Sequence, residues 1–243
     1  MTLLGHFMRL NKFIASCGIC SRREADKLIE EGRITVNGSI PSQGMDVTDA
    51  DTVFLDGKEI SVRESYTYLA YYKPVGVTCT ERDSHAEKTV IEDLGVAQRV
   101  TYAGRLDKDS EGLLIMTDDG KLIEAMMRGS KKHEKEYEVT VDRDISGDFL
   151  KKMSNGVYLK DLDKTTRSCT VKRTGKRSFI IILTQGLNRQ IRRMCKECGA
   201  EVITLKRTRV MNIKLSNYSL KPGQHKNITD EDLKKLFSDC GIK

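Results

Sequence analysis

Two dipeptides in the first quarter of the chain, Asn37-Gly38 and Asp56-Gly57, restrict the backbone more tightly than any other local feature. Each follows a short apolar run, Ile34 to Val36 and Val53 to Leu55, and each supplies residues that tolerate the positive φ of tight hairpins. Two helix-period segments come before them. Leu10, Phe13, Ile14 and Cys17 share one helical face until Gly18 breaks the pattern. Ser21 followed by Glu24 has the form of a capping box for a second helix. Ala25, Leu28 and Ile29 lie on its inner side, Gly32 stops it, and Arg22, Arg23 and Lys27 lie on its outer side. The pattern predicts a small helix-helix-strand module over residues 8–63, near the lower size limit for independent folding.

The polar, weakly patterned stretch from Lys58 to Thr67 marks a boundary, and a second domain is expected over residues 67–243. Strand-like runs there (Tyr68 to Tyr72, Val100 to Ala103, Leu113 to Met116, Glu136 to Val141, Phe179 to Leu183, Val202 to Leu205) are interspersed with helix-like ones. The latter are Lys121 to Arg128, Ser146 to Met153, Gln190 to Cys198 and Asp230 to Phe237. Without regular strand-helix alternation the reading is α+β with a mixed, mainly antiparallel sheet, not a doubly wound fold.

The formal charge of +7 and a pI near 9.0 favour a polyanionic partner. The charge is concentrated: Asn188 to Arg209 holds seven basic side chains and two acidic ones. No apolar run approaches the roughly 18 residues of a membrane helix, and Met1 to Phe7 lacks the pattern of a secretory signal. The expectation is a soluble cytoplasmic protein, monomeric and with no membrane partner. Seven scattered cysteines suit reduced thiols better than a disulfide framework. Cys17/Cys20 and Cys195/Cys198 have C-x-x-C spacing, but both pairs fall at helix ends where Cys packs as a small apolar residue, so zinc is not expected.

The densest chemical signal is Gly104-Arg105-Leu106-Asp107-Lys108-Asp109-Ser110-Glu111-Gly112-Leu113-Leu114. Asp107, Asp109, Glu111, Gly112 and Asp118 match spacings of a calcium loop, but such a loop needs flanking helices and usually a terminal Glu. Here the flanks are strand-like. The better reading is one catalytic carboxylate, Asp107, kept ionised by the adjacent Arg105.

This segment resembles the catalytic segment of pseudouridine synthases, specifically the bacterial group that modifies ribosomal RNA. Tyr72-Lys73-Pro74-Val75-Gly76-Val77, HEKEYEVTVD (His133 to Asp142), QGLNRQIRRM (Gln185 to Met194) and LKRTRVMNI (Leu205 to Ile213) agree with that family in order and spacing. HEKEYEVTVD and GLNRQIRRM resemble its large-subunit branch, the RluF type in particular. RLNKFIASCGICSRREADKLIEEGRITVNG resembles the RNA-binding module shared by ribosomal small-subunit protein four and tyrosyl-tRNA synthetases. That likeness implies RNA contacts for Arg22, Arg23, Lys27 and Arg33.

The family resemblance implies that Asp107 is the essential aspartate and that Tyr137 stacks on the target uracil. It further implies that Arg192 is the cation paired with the aspartate, that Leu205 packs beneath the site, and that Arg105 helps hold the flipped nucleotide or the vacated stack. Arg189, Arg193, Lys206 and Arg207, in the basic segment, are expected to meet RNA. Lys73 and Pro74 read as structural, with a direct RNA contact as the alternative for Lys73. The implied partner is ribosomal RNA of the large subunit, and the implied reaction uses no cofactor and no metal. Two other function classes compete: a non-catalytic RNA-binding or ribosome-assembly factor, and a metal-dependent nuclease or phosphotransferase using Asp107, Asp109, Asp118 and Asp119, which a chelator would inhibit.

Overall fold

The structure is a computed structural model that describes residues 7–63, 65–80, 87–128 and 133–242. The chain divides into two compact units, Met1–Tyr66 and Thr67–Lys243.

In the first unit, strand β1 (Met8–Arg9) leads into helix α1 (Leu10–Ser16), followed by α2 (Arg22–Glu30). The Ser21 side chain accepts from the Glu24 backbone N–H while the Glu24 carboxylate accepts from the Ser21 backbone, so the capping box forms in full. Strand β2 (Ile34–Val36) precedes β3 (Asp46–Val47), which pairs with β1, and then come β4 (Val53–Leu55) and β5 (Lys58–Ile60). Asn37 and Gly38 have φ of 52° and 80°, and Asp56 and Gly57 have 49° and 79°, the positive values both turns call for. The second turn joins β4 to β5, so the polar stretch after Gly57 begins as a strand rather than as a linker. Leu10, Ile14, Ala25, Ile29, Ile34, Val36, Val47 and Val53 form the core.

The second unit contains β6 (Tyr68–Lys73), α3 (Val90–Leu94), β7 (Thr101–Tyr102), β8 (Glu111–Thr117), α4 (Gly120–Met127), β9 (Lys135–Val141) and α5 (Gly147–Asn155). After these come β10 (Tyr158–Leu159), β11 (Lys164–Thr165), β12 (Thr170–Arg173), β13 (Ser178–Leu183), α6 (Gln190–Glu197), β14 (Val202–Val210), β15 (Ile213–Lys214), β16 (His225–Asn227) and α7 (Asp230–Cys240). Among the described residues the main sheet runs β12-β13-β9-β14-β8-β6-β16, with β7 beside β8 and β15 beside β14. Every pairing in it is antiparallel except β14 with β8. The fold is therefore α+β around a mixed, mainly antiparallel sheet. On one face α4 and α7 cover Ala70, Leu113, Ile115 and Val210. On the other, α3 covers Leu69, Tyr71, Leu114 and Met116, and α5 and α6 cover Val139, Ile181 and Leu205.

β14 extends five residues past Leu205, where its apolar pattern ends. Lys206 and Arg209, polar residues within that extension, lie over Tyr72 and against Glu134 and Glu136, and pairing with β9 holds them in the strand. The short α3, five residues long, is fixed by a capping box of its own between Thr89 and Glu92.

Candidate active site

Asp107 stands in the loop joining β7 to β8. Gly104, at φ +94°, opens the loop, and the Ser110 N–H closes a turn on the Asp107 carbonyl at 3.1 Å. Leu106 is turned inward and buried in the apolar group beneath, against which Tyr137 also packs. Asp107 is left with about a third of its side chain exposed (32%).

Cations hold the loop by its carbonyls. Lys73, fully buried, donates from Nζ to Ser110 O at 2.8 Å and to Pro74 O at 2.7 Å. Arg207, 1% exposed, donates from Nε to Leu113 O (2.7 Å) and from Nη1 to Arg105 O (3.1 Å). Arg192 donates from Nη2 to Asp109 O at 2.7 Å and from Nη1 to Val202 O at 3.2 Å, tying α6 and β14 to the same turn. Gly76 N–H adds a bond to Lys108 O at 2.8 Å. Carbonyls held by buried ammonium and guanidinium groups have little freedom to move, so the Asp107 carboxylate is carried on a rigid turn. Burial draws the Lys73 ammonium below its ordinary range.

The parallel seam beneath the loop depends on Gly112. Its φ is +113°, and a Cβ there would lie 2.3 Å from Arg207 O. Only glycine lets β14 approach close enough to bring Arg207 under the loop.

Several expected placements change. Arg192 does not pair with Asp107: its Nε lies 3.2 Å from Asp109 Oδ2, and among the described residues the cation paired with Asp107 is Arg189, with Nη1 at 3.8 Å from Oδ2. The reason is the start of α6. Arg189 precedes the first helical turn in the left-handed region (φ 50°), which aims it at the loop, while Arg192 is carried one turn further, toward the Val202 carbonyl. Arg189 also grips Asp109 with both terminal nitrogens, at 3.0 and 2.7 Å. That double hydrogen bond, then the charge of Arg192, hold the Asp109 carboxyl below its usual range. Arg105 is exposed and makes no ion pair with Asp107; its carbonyl, not its guanidinium, is what the interior uses.

Arg207 is a core residue and not a surface contact, because Gly112 draws it under the loop. Lys206, by strand alternation, lies on the opposite face from Leu205, with its Nζ 5.3 Å over the ring of Tyr72, whose hydroxyl donates to Glu111 at 2.9 Å. Arg207, buried in this way, therefore has no surface with which to meet RNA as expected. Arg193 is paired with Asp161 and the Asn188 carbonyl.

Tyr137 and Leu205 fall on one face of the sheet: Tyr137 is paired in register with Arg207, and Leu205 with Val139. Leu205 is buried, and Tyr137 is partly exposed at the junction of two apolar groups. In the first unit Arg22, Arg23, Lys27 and Arg33 are all exposed on α2 and the turn after it. Arg33 is bound to Asp56, and Arg22 reaches Asn11 Oδ1 at 3.4 Å. The motifs do not show that Lys73 and Gly112 support the aspartate loop, because the partners that define these roles are 37 and 95 residues away in the chain.

Among the described residues no group of three or more His, Cys, Asp or Glu side chains is arranged to hold a metal ion. The Asp107 to Asp118 segment is flanked by β7 and includes β8, not the helices of a calcium loop. No described helix is long and apolar enough to cross a membrane.

Residues 67–197 match the RNA pseudouridylate synthase family, and residues 8–53 match the S4 domain. The dual-specificity RNA pseudouridine synthase RluF of Escherichia coli K12 is 44% identical over 95% of this chain and 78% of its own length. An uncharacterized RNA pseudouridine synthase of Aquifex aeolicus is 35% identical over 94% of this chain and 96% of its own length. The ribosomal large subunit pseudouridine synthase B of Yersinia pestis is 36% identical over 85% of this chain and 68% of its own length. A crystal structure of a pseudouridylate synthase superposes with a TM-score of 0.70 at 25% identity, covering 94% of this chain and 99% of that one. With its loop-borne aspartate, its tyrosine strand and an S4 domain in front, the chain belongs to the RNA pseudouridylate synthase family and is an RNA pseudouridine synthase.

Proposed function

We propose that this enzyme converts a uridine of ribosomal RNA, in the large subunit, to pseudouridine, with Asp107 as the catalytic carboxylate. The observation that carries the reading is the presentation of Asp107: a partly exposed carboxylate on a turn whose carbonyls are fixed by Lys73, Arg192 and Arg207. The name of the E. coli relative supports RNA as the substrate, and that of the Y. pestis relative supports the ribosomal large subunit.

The reaction breaks the bond from ribose C1′ to uracil N1, turns the base and joins C1′ to C5. The proton of C5 is lost and N1 gains one, so the product is an isomer and the balance requires no group donor. Asp107 acts directly on the nucleoside, next to the ring that Tyr137 stacks against, over the floor that Leu205 forms. Flipping the nucleotide costs a few kcal/mol, which stacking on Tyr137 and cation contacts to phosphate offset. Arg189 supplies the positive charge paired with the aspartate, and Arg105, exposed on the same loop, helps hold the flipped nucleotide or the vacated stack. The S4 unit contributes a second contact with RNA through Arg22, Arg23, Lys27 and Arg33. The chain works as a monomer in the cytoplasm.

Tritium release from RNA labelled at uracil C5 tests the proposal, with small- and large-subunit RNA assayed separately. Native protein should release label from large-subunit RNA with or without chelator, and Asp107→Asn should bind that RNA without releasing label. Full activity in Asp107→Asn would overturn the role of the aspartate, and release from small-subunit RNA alone would overturn the substrate.

A further inference from the structure

Two cations on the Tyr137 side of the sheet have no counter-charge among the described residues. Lys135 lies two residues before Tyr137 in β9 and shares its face by strand alternation. It is partly buried and has no hydrogen-bond or ion-pair partner among the described residues. The two carboxylates that flank it in sequence, Glu134 and Glu136, turn away and bind Arg209 at 3.0 and 3.3 Å. Arg207, opposite Tyr137 in the ladder, adds like charge: its Nη2 is enclosed and unpartnered, and with burial its charge lowers the proton affinity of Lys135. Arg105, whose carbonyl Arg207 holds, also has no partner for its side chain among the described residues.

Half-buried charges left unpaired destabilise a fold unless an anion arrives to meet them. We propose that Lys135 contacts a backbone phosphate of the RNA next to the target nucleotide, with Arg207 as a fixed charge behind it. The inference rests on the placement of Tyr137 at the target base proposed above. Arg207 acts through space, since its free nitrogen is sealed from solvent, whereas the flexible Lys135 stem can deliver its ammonium to the ligand.

The test compares full-length native protein with Lys135→Met and Lys135→Arg, using a large-subunit RNA fragment that native protein binds and a version of it with a methylphosphonate beside the uridine proposed as the target. Lys135→Met should keep or raise the melting temperature. It should bind RNA about tenfold more weakly and lower the slope of log affinity against log salt by about 0.7 to 0.9, the value of one phosphate contact. Lys135→Arg should recover most of the affinity and the native slope. The methylphosphonate should weaken native binding to the level of Lys135→Met and leave that variant unchanged. A native slope and affinity in Lys135→Met, or equal loss in Met and Arg variants, overturns the proposal. Binding needs no turnover, so absence of tritium release by native protein would count against the catalytic reading while the salt slope still decides Lys135.

Discussion

Replacing Gly112 with alanine isolates the seam on which the site is built. The added Cβ would fall 2.3 Å from Arg207 O, 2.6 Å from Arg207 N and 2.9 Å from Arg207 C. All three atoms belong to a backbone in mid-sheet, so relief requires β14 to move by roughly 1 Å to reach ordinary contact distance. The φ of +113° adds strain of about 1–3 kcal/mol for a residue with a side chain. Moving β14 also weakens the bonds from Arg207 to the carbonyls of Leu113 and Arg105, each worth roughly 1.5–3 kcal/mol as a charged hydrogen bond. A net loss of about 4–6 kcal/mol follows, a large part of the usual 5–15. At about 2–4 °C per kcal/mol for a unit of this size, the melting temperature should fall by roughly 10–20 °C. Gly120→Ala is the matched control: its Cβ meets nothing within 4 Å and its φ is not positive, so stability should stay within about 1 kcal/mol. Thermal unfolding of both variants checks the expectation. A melting temperature for Gly112→Ala within 2 °C of native would refute the claim that the close approach of β14 to Gly112 is needed.

Arg192→Lys should lower kcat about tenfold through misplacement of the aspartate loop, because one ammonium cannot span both Asp109 O and Val202 O; a native kcat in tritium release would show that this tie is dispensable. Asp109→Asn should destabilise the protein at neutral pH by about 1 kcal/mol or less, given the exposure of its pairing with Arg189. The folded-state pKa of Asp109 is depressed, so its contribution is complete above the unfolded value near 4 and disappears as pH falls through the folded one. Native and variant unfolding curves should therefore converge in acid, and a gap that widens below about pH 4 would contradict the assignment. Ser21→Ala removes half of the capping box of α2 and should cost about 1 kcal/mol, read as faster hydrogen exchange in residues 22–30.

Local chemistry made much of the first unit readable in advance. The cap at Ser21 and Glu24 and the turns at Asn37-Gly38 and Asp56-Gly57 involve residues within four positions of one another, so sequence and structure describe the same interactions. β14 outruns its apolar pattern for the opposite reason: the alternation it obeys is set by which neighbouring strands and helices cover each face, and its polar residues satisfy no apolar pattern. Within the site, the order of motifs singled out Asp107, Tyr137 and Leu205, but motif order does not say which guanidinium reaches which carboxylate. Arg189 and Arg192 are three residues apart on a helix whose phase and entry angle depend on its packing against β14 and the loop.

The amino-acid sequence by itself determined the capped helices and tight turns of the first unit, the α+β class, the concentration of positive charge after Asn188 and the family to which the aspartate segment belongs. Only the tertiary structure decided that Lys73 and Arg207 are buried supports for the loop, that Lys206 lies on the far face and, among the described residues, that Arg189 rather than Arg192 pairs with Asp107 and that Lys135 lacks a counter-charge. Those outcomes depend on contacts between residues far apart in the chain, where burial and pairing follow from how the strands are ordered and how closely Gly112 lets two of them approach.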